Sequence, residues 1–479
     1  MLLLSKSHLT AAVSRPILLT KANFNLSKSS LYNTLFTLCG NDVVESLTSN
    51  YNLSQNQRYF YSTTTTTTTT TISNTNDGKN KVFSWGSGLN GKLCHGLEEK
   101  KIVIPKEIQI PNNSDSGNNN PTHITTGTTY SIIAAFDNVN NTPVLYGCGD
   151  NRDAQLIVGN GKIHSIADLE ILSTKNTVQL FKDKHIVDLV SGTYHNVCRL
   201  DDGTCLFWGT SNSGQLGNPV YSRVQFDPYD NKLLSEIGIK KIGCGTTFTL
   251  ALSNQGQLYS FGSSSFNELG NGDCFNERVP KKINNPLLDQ RKIVDIAPGF
   301  FHNMVLDDQN TLLVWGRNQE SQCFPAEDGI GKGSFCDVQI LDTSILESDE
   351  KIVKIGSSSF NSYVLTDKGF IYSIGSNEQG QLGVGKSFEK GRLNKVNLPI
   401  SVKTFYTGFK SIIVTDGERF FGWGSNFDHQ LSLETRCVYF DPVELQNLND
   451  LNKKFKIQNI SISMSHTLSI NSPSQSPSS

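Results

Sequence analysis

No run of 18 or more apolar residues occurs in the 479-residue chain, so a transmembrane helix is not expected. The ten cysteines include no CxxC pair and no His/Cys group at zinc spacing, which removes zinc modules and dithiol redox motifs. They are scattered singly, and a chain of this length needs no disulfide staples. Reduced thiols, mostly buried as small apolar residues, are expected. Net charge is small, −2 from 42 basic and 44 acidic side chains, and argues against a protein that grips nucleic acid chiefly through phosphates. Glycine, by contrast, is abundant at 40 residues, which points to many turns and short strands rather than long helices.

Acidic residues are missing from the first 41 positions, where Lys6, Arg15, Lys21 and Lys28 stand among serine, threonine and leucine. A basic, hydroxyl-rich, acid-poor leader is the signature of a mitochondrial transit peptide. Each positive charge gains about 2.3 kcal/mol per 100 mV of a potential negative inside. A secretory signal would carry a compact apolar core, and here Lys6 interrupts it after the three leucines that follow Met1. Arg58-Tyr59-Phe60-Tyr61-Ser62 resembles the arginine-plus-aromatic context at which matrix peptidases cleave. Residues 1–62 are therefore assigned as a transit peptide. The threonine run Thr63 to Thr71 and the Ser/Asn-rich stretch after it cannot offset their ordering entropy by apolar burial, so 63–80 is assigned as a disordered linker. Removing residues 1–62, with five basic and two acidic side chains, moves the formal charge from −2 to −5.

From Lys81 onward the chain repeats itself. A short strand ending in an aromatic–glycine pair recurs as VFSWG (82–86), FWG (207–209), YSFG (259–262), VWG (314–316), YSIG (372–375) and GWG (422–424), with YGCG (146–149) the weakest copy. The anchor glycines are Gly86, Gly149, Gly209, Gly262, Gly316, Gly375 and Gly424, spaced 49 to 63 residues apart. All four tryptophans, Trp85, Trp208, Trp315 and Trp423, directly precede one of them. Six positions past each anchor stand Lys92, Gln155, Gln215, Glu268, Gln322, Gln381 and Gln430, and leucine follows in six of the seven. Gly91, Gly214, Gly380 and Asn267 stand just before, residue types that take positive φ cheaply. Upstream of the anchors, segments such as GTYHNVCRLDDGTCLFWG (192–209) read as strand, tight turn and strand. Another short apolar strand, such as IVDIAP (293–298), precedes each, giving three or four strands per unit. Repeats of this length made of short strands are propeller blades.

The two ends of the array complement each other. The first anchor has no strand pair upstream, and IQNISISMSHTLSI (457–470) has that pair but no anchor after it. Joined, they make one blade and remove two exposed sheet edges. We expect an all-β, seven-bladed β-propeller over 81–471, its ring closed by C-terminal strands joining the N-terminal blade, with 472–479 a disordered tail. The unit resembles the repeat of the regulator-of-chromosome-condensation family: a strand, Gly-x-x-His, a strand, a turn, a Trp-Gly strand and then Gln-Leu-Gly. The likeness covers about residues 82–470. It implies a monomeric, non-catalytic scaffold without cofactor that binds protein or ribonucleoprotein partners. Mitochondrial relatives are associated with ribosome assembly and respiratory-complex biogenesis, which would place the chain in the matrix or at the inner membrane, with ribosomal RNA or assembly factors as partners. Other members exchange nucleotide on small GTPases, the alternative here. Ultraviolet-sensing members carry Gly-Trp-Arg-His-Thr motifs, and none occurs in this sequence.

Chemistry-bearing candidates are few. Gly86 to Leu93 contains GxxxxGK, but a phosphate loop needs Ser or Thr after the lysine and a helix behind it. His195, His302 and His466 share one repeat slot that holds Phe248 and Asn361 elsewhere, so packing rather than metal binding is expected. The stretches 99–121, 218–236 and 324–350 are expected to protrude as inserts. Glu327, Asp328, Asp337 and Asp342 in the last are candidate partner contacts. A fusion of residues 1–62 to a fluorescent protein is expected to enter mitochondria; cytosolic or nuclear fluorescence would overturn the leader assignment.

Overall fold

The computed structural model describes residues 78–111, 119–158, 165–172, 174–220, 222–324 and 335–474. Residues 1–62, assigned as a transit peptide, and the assigned linker up to residue 77 lie outside the described residues. The rest forms seven four-stranded antiparallel sheets. In each, the innermost strand lies against the innermost strands of its neighbours, and the other three follow outward. This is the expected seven-bladed β-propeller. Blade two, for example, runs Asn119–Thr126, Tyr130–Asp137, Thr142–Asp150 and Ser165–Ile171 from the axis outward.

Burial explains the strand sequences. The two middle strands of each blade are covered on both faces by neighbouring blades, so FTLALS (Phe248–Ser253) and HNMVLD (His302–Asp307) are buried throughout rather than alternating. Outermost strands such as Glu277–Lys282 carry charge and proline, as unpaired edges do. The apolar core is divided into seven clusters, each drawn from two consecutive blades. Each blade is therefore stable only against its neighbours.

The anchor glycines answer to one geometric demand. All seven have φ between 94° and 119°. A Cβ there would lie 2.2 to 2.5 Å from a carbonyl oxygen of the turn joining the first two strands. No side chain can occupy that space, so the glycine recurs in every blade.

Blade one closes the ring as expected. Lys81–Ser87 pairs with His466–Pro473, Val82 opposite Ile470 and Trp85 opposite Thr467. Lys101–Ile108 forms the outer edge and Phe455–Ile462 the inner one. The C-terminal boundary needs correction, because the last strand continues past 471 with Ser472 opposite Lys456 and Pro473 opposite Phe455.

Other expectations also change. Of the three or four strands expected per unit, all blades have four. The segments expected to protrude as inserts instead supply outermost strands: Lys101–Ile108, Val224–Asp230 and Phe335–Ile340. An edge strand needs little apolar content, which is why these segments read as loops. Short helices, among them Lys175–Phe181 and Gln446–Lys454, lead from an outer strand to the next blade. The first is capped by Thr174, whose side chain accepts from the Thr177 backbone. The expectation of reduced thiols fails for Cys94 and Cys148, which form a disulfide between blades one and two; seven other described cysteines are free. The repeat brings these two together from 54 positions apart, a proximity invisible to spacing. Among the described residues no helix is long and apolar enough to cross a membrane.

Deleting residues 455–479 removes both C-terminal strands, with Ile457, Ile460, Ile462, Leu468 and Ile470 buried on them. Each is worth about 1.5–3 kcal/mol, against a net stability of about 5–15 kcal/mol for a whole domain. The truncated protein is expected to melt far lower and to aggregate, whereas deletion of 475–479 leaves the melting curve unchanged. Equal melting of the two truncations would show that the ring does not depend on this blade.

Candidate functional site

The glutamine slot is a device for joining blades. Its side-chain oxygen accepts the backbone N–H two residues earlier, as from Asp153 to Gln155 (3.0 Å), Ser213 to Gln215 (3.0 Å), Glu320 to Gln322 (3.0 Å), Gln379 to Gln381 (2.8 Å) and Asp428 to Gln430 (3.0 Å). That bond holds the turn while the residue's carbonyl faces the next blade. There it accepts the indole N–H of the following anchor: Trp208 on Gln155 (2.8 Å), Trp315 on Glu268 (3.0 Å), Trp423 on Gln381 (2.9 Å) and Trp85 on Gln430 (2.9 Å). A second donor fills the same oxygen, Asn196 on Gln155, Asn303 on Glu268 and Thr467 on Gln430. Trp85 on Gln430 spans 345 residues and seals the ring.

The histidine slot works similarly. Nε2 of His195, His302 and His466 lies 3.0, 3.0 and 2.9 Å from the hydroxyl of Thr249, Ser362 and Ser131, each in the next blade. Burial holds these imidazoles neutral, His195 and His302 near 3. The three stand at separate seams, and no group of metal-ligating side chains occurs among the described residues. Lys92, the lysine of the phosphate-loop lookalike, is buried and donates to Ser465 Oγ (2.7 Å), tying the two chain ends of blade one together. Burial lowers it to about 8.

The acidic stretch is largely engaged within the protein. Glu327 and Asp328 lie outside the described residues. Asp337, in an outer strand, accepts from Asn267 Nδ2 (2.8 Å), and exposed Asp342 accepts from the Ser344 backbone (2.9 Å). Lys368 pairs with both Glu347 (2.7 Å) and Asp349 (2.6 Å). Buried Glu350 accepts from Tyr372 and Thr366 hydroxyls.

A different site emerges when equivalent positions are compared around the ring. The turns between first and second strands lie at the same end as the loops after the anchors, since the residue after each anchor donates to a carbonyl of that turn, as Arg317 does to Phe301 (2.7 Å). In blades two to four these turns carry Thr128-Thr129, Thr193-Tyr194 and Thr246-Thr247; in blades five to seven they carry Phe300-Phe301, Ser359-Phe360 and Phe409-Lys410. Phe300 is buried as a hub, its ring 6.1 Å from Phe360 and 5.0 Å from Phe409. Arg317 lies over Phe360, 4.6 Å from its centroid, with Phe266 and Phe301 on its flanks. In blade one the turn holds Met464, 39 % exposed. At the tips of the anchor loops only blades seven and one are apolar, with Phe427 and Leu89 45 % and 59 % exposed; the other blades carry Arg152, Asn212, Ser265, Gln319 and Glu378 there. One face thus carries an apolar crescent over blades five, six, seven and one, and a polar sector over the others. These side chains do not recur in all seven blades. They were readable in the aligned repeat, but attention to invariant positions passes over variable ones.

These features define a repeat-built β-propeller whose loops differ from blade to blade. The regulator of chromosome condensation (RCC1) repeat model matches residues 202–252 and 255–306, and a second model of that repeat matches 239–268 and 293–322. An RCC1 repeat-containing protein of Dictyostelium discoideum is 58% identical over 421 residues, covering 83% of this chain and 86% of the relative. The mitochondrial RCC1 domain-containing protein RUG3 of Arabidopsis thaliana is 25% identical over 364 residues, 64% of this chain and 79% of its own. The crystal structure of Prp20p from Saccharomyces cerevisiae, described with its binding to Gsp1p and histones, superposes with a TM-score of 0.71 at 18% identity, covering 84% of this chain and 93% of that one. The chain belongs to the RCC1 repeat family.

Glu268 is the acid in the glutamine slot. It is buried, accepts from the Phe266 backbone (2.7 Å), and burial raises its carboxyl to about 7 from the usual 4.5. A raised acid binds its proton more tightly in the folded state, so its contribution to stability is intact below pH 4.5 and is lost as pH rises through 7. Glu268→Gln is expected to exceed the parent by roughly 2–3 kcal/mol at pH 8 and to match it near pH 4.5, read by urea unfolding at both. A constant difference would show that Glu268 is ionised throughout.

Proposed function

We propose that the chain is a non-catalytic propeller platform that binds a protein partner through the apolar crescent, and that it acts in mitochondria, in ribosome or respiratory-complex assembly. The observation that carries this reading is the break in the repeat: aromatic and aliphatic side chains gather on one face in the first-to-second-strand turns of blades five, six, seven and one, and at the anchor-loop tips of blades seven and one. Partly exposed Phe301 and Phe360 beside Arg317, with exposed Phe427, match the composition of protein-binding hot spots. The acidic stretch with Glu327, Asp328, Asp337 and Asp342, which follows the anchor loop of blade five in the sequence, is proposed as an accessory contact. The acid-free leader and the similarity to RUG3 support the mitochondrial assignment. Nucleotide exchange on a small GTPase is the second reading, supported by the family and testable by nucleotide release.

Affinity purification from isolated mitochondria tests the first. The triple variant Leu89→Ser, Phe427→Ser, Met464→Ser is expected to fold normally and to lose its partner by about 10-fold or more. Val139→Ser, on the hairpin of the opposite face, is expected to retain it. Equal recovery with both variants would move the binding surface elsewhere.

A further inference from the structure

The position eight residues past an anchor glycine reaches the next blade, at the residue just before that blade's anchor. At three seams the first position is glycine, and a Cβ on Gly217, Gly270 or Gly383 would lie 2.9, 2.9 or 2.6 Å from the rings of Phe261, Trp315 or Trp423. Elsewhere a side chain in this slot makes a contact of its own, as Ile157 does in the cluster with Trp208 and Ser432 does by donating to Val103 O (2.7 Å). The seam between blades one and two departs at both positions together. Cys94 stands in the glycine slot with φ 60°, and Cys148 stands where four blades have tryptophan. Their sulfurs are bonded, with Cα atoms 5.5 Å apart. The glutamine slot departs too: Lys92 occupies it, and its carbonyl accepts from Ser131 Oγ (2.7 Å) rather than from an indole.

We propose that Cys94–Cys148 is a redox-dependent latch that takes the place of the glycine–tryptophan contact at this seam. It holds the N-terminal half of the closing blade on blade two. Blade one is assembled from both ends of the chain, so Lys81–Ser87 and Lys101–Ile108 depend on pairing to the C-terminal strands and on this seam. With the bond formed, opening of the ring releases the C-terminal strands alone and leaves the other half docked for re-pairing. With two thiols, the seam has neither indole nor crosslink. Closure proceeds by exchange with a small disulfide such as oxidised glutathione. One S–S bond forms, the glutathione S–S bond breaks, and the two thiol protons leave on two reduced glutathiones. Reduction is the reverse, and because both cysteines are buried it requires the seam to open first.

Peptide mapping of the unreduced full-length protein, equilibrated with oxidised glutathione, should recover Cys94 and Cys148 in one crosslinked species. Reduction with a phosphine should lower the Tm of the parent by about 3–8 °C. The variant Cys94→Ser, Cys148→Ser should melt like the reduced parent in either condition. The variant Cys94→Gly, Cys148→Trp, which restores the pattern of other seams, should melt above the serine variant and ignore the reductant. Absence of the crosslinked species, or a parent Tm indifferent to reduction, overturns the proposal even if the glycine–tryptophan variant fails to fold.

Discussion

One carbonyl oxygen per seam organises the propeller: that of the residue six places past the anchor glycine. In six blades it is carried on a turn held by the same residue's side chain. At four seams it faces a neighbouring blade that supplies an indole N–H, often with a second donor, and at two others it accepts a hydroxyl, Ser131 on Lys92 and Thr249 on Gln215. Both lone pairs of a buried acceptor are then used, and an unmet one would cost about 1–3 kcal/mol. The tryptophan must be large enough to cross the seam, the glycine ahead of it must lack a Cβ, and the facing slot must leave room for the ring. A short sequence pattern thus encodes contact between blades rather than structure within one.

Because blades are rotationally equivalent, a departure from the pattern is informative in itself. Glu268 departs by one atom, keeping the slot's hydrogen bonds while bringing an ionisable group into a buried site. Lys92 departs by length and charge, and reaches across the closing blade to Ser465. Phe300, Phe360 and Phe409 depart by packing together beneath one face, on which Leu89, Phe427 and Met464 are exposed. The first two concern stability of the ring; the third concerns what the ring presents.

The closing blade concentrates several of these departures. It holds Lys92, Cys94, Leu89 and Met464, and its two halves come from opposite ends of the chain. Partner binding at the crescent would bridge both halves and so favour the closed ring, by the linkage that makes any ligand of the native state stabilising.

The sequence alone determined the number of blades, the positions of the anchor glycines and the pairing of 457–470 with 82–86, because each rests on a local pattern repeated at fixed offset. It did not reveal the outermost strands, since an edge strand such as Glu277–Lys282 has little apolar signature. The last strand's reach to Pro473 was hidden for the same reason, behind a Ser/Pro composition. The role of glutamine was out of reach as well: its recurrence along the chain is visible, but its acceptor oxygen meets an indole 42 to 53 residues on, or 345 residues away for Trp85. Only the folded ring brought Cys94 to Cys148 and packed Phe300, Phe360 and Phe409 into one cluster, because contacts across a seam depend on the rotation between blades, and no spacing within a single repeat records that rotation.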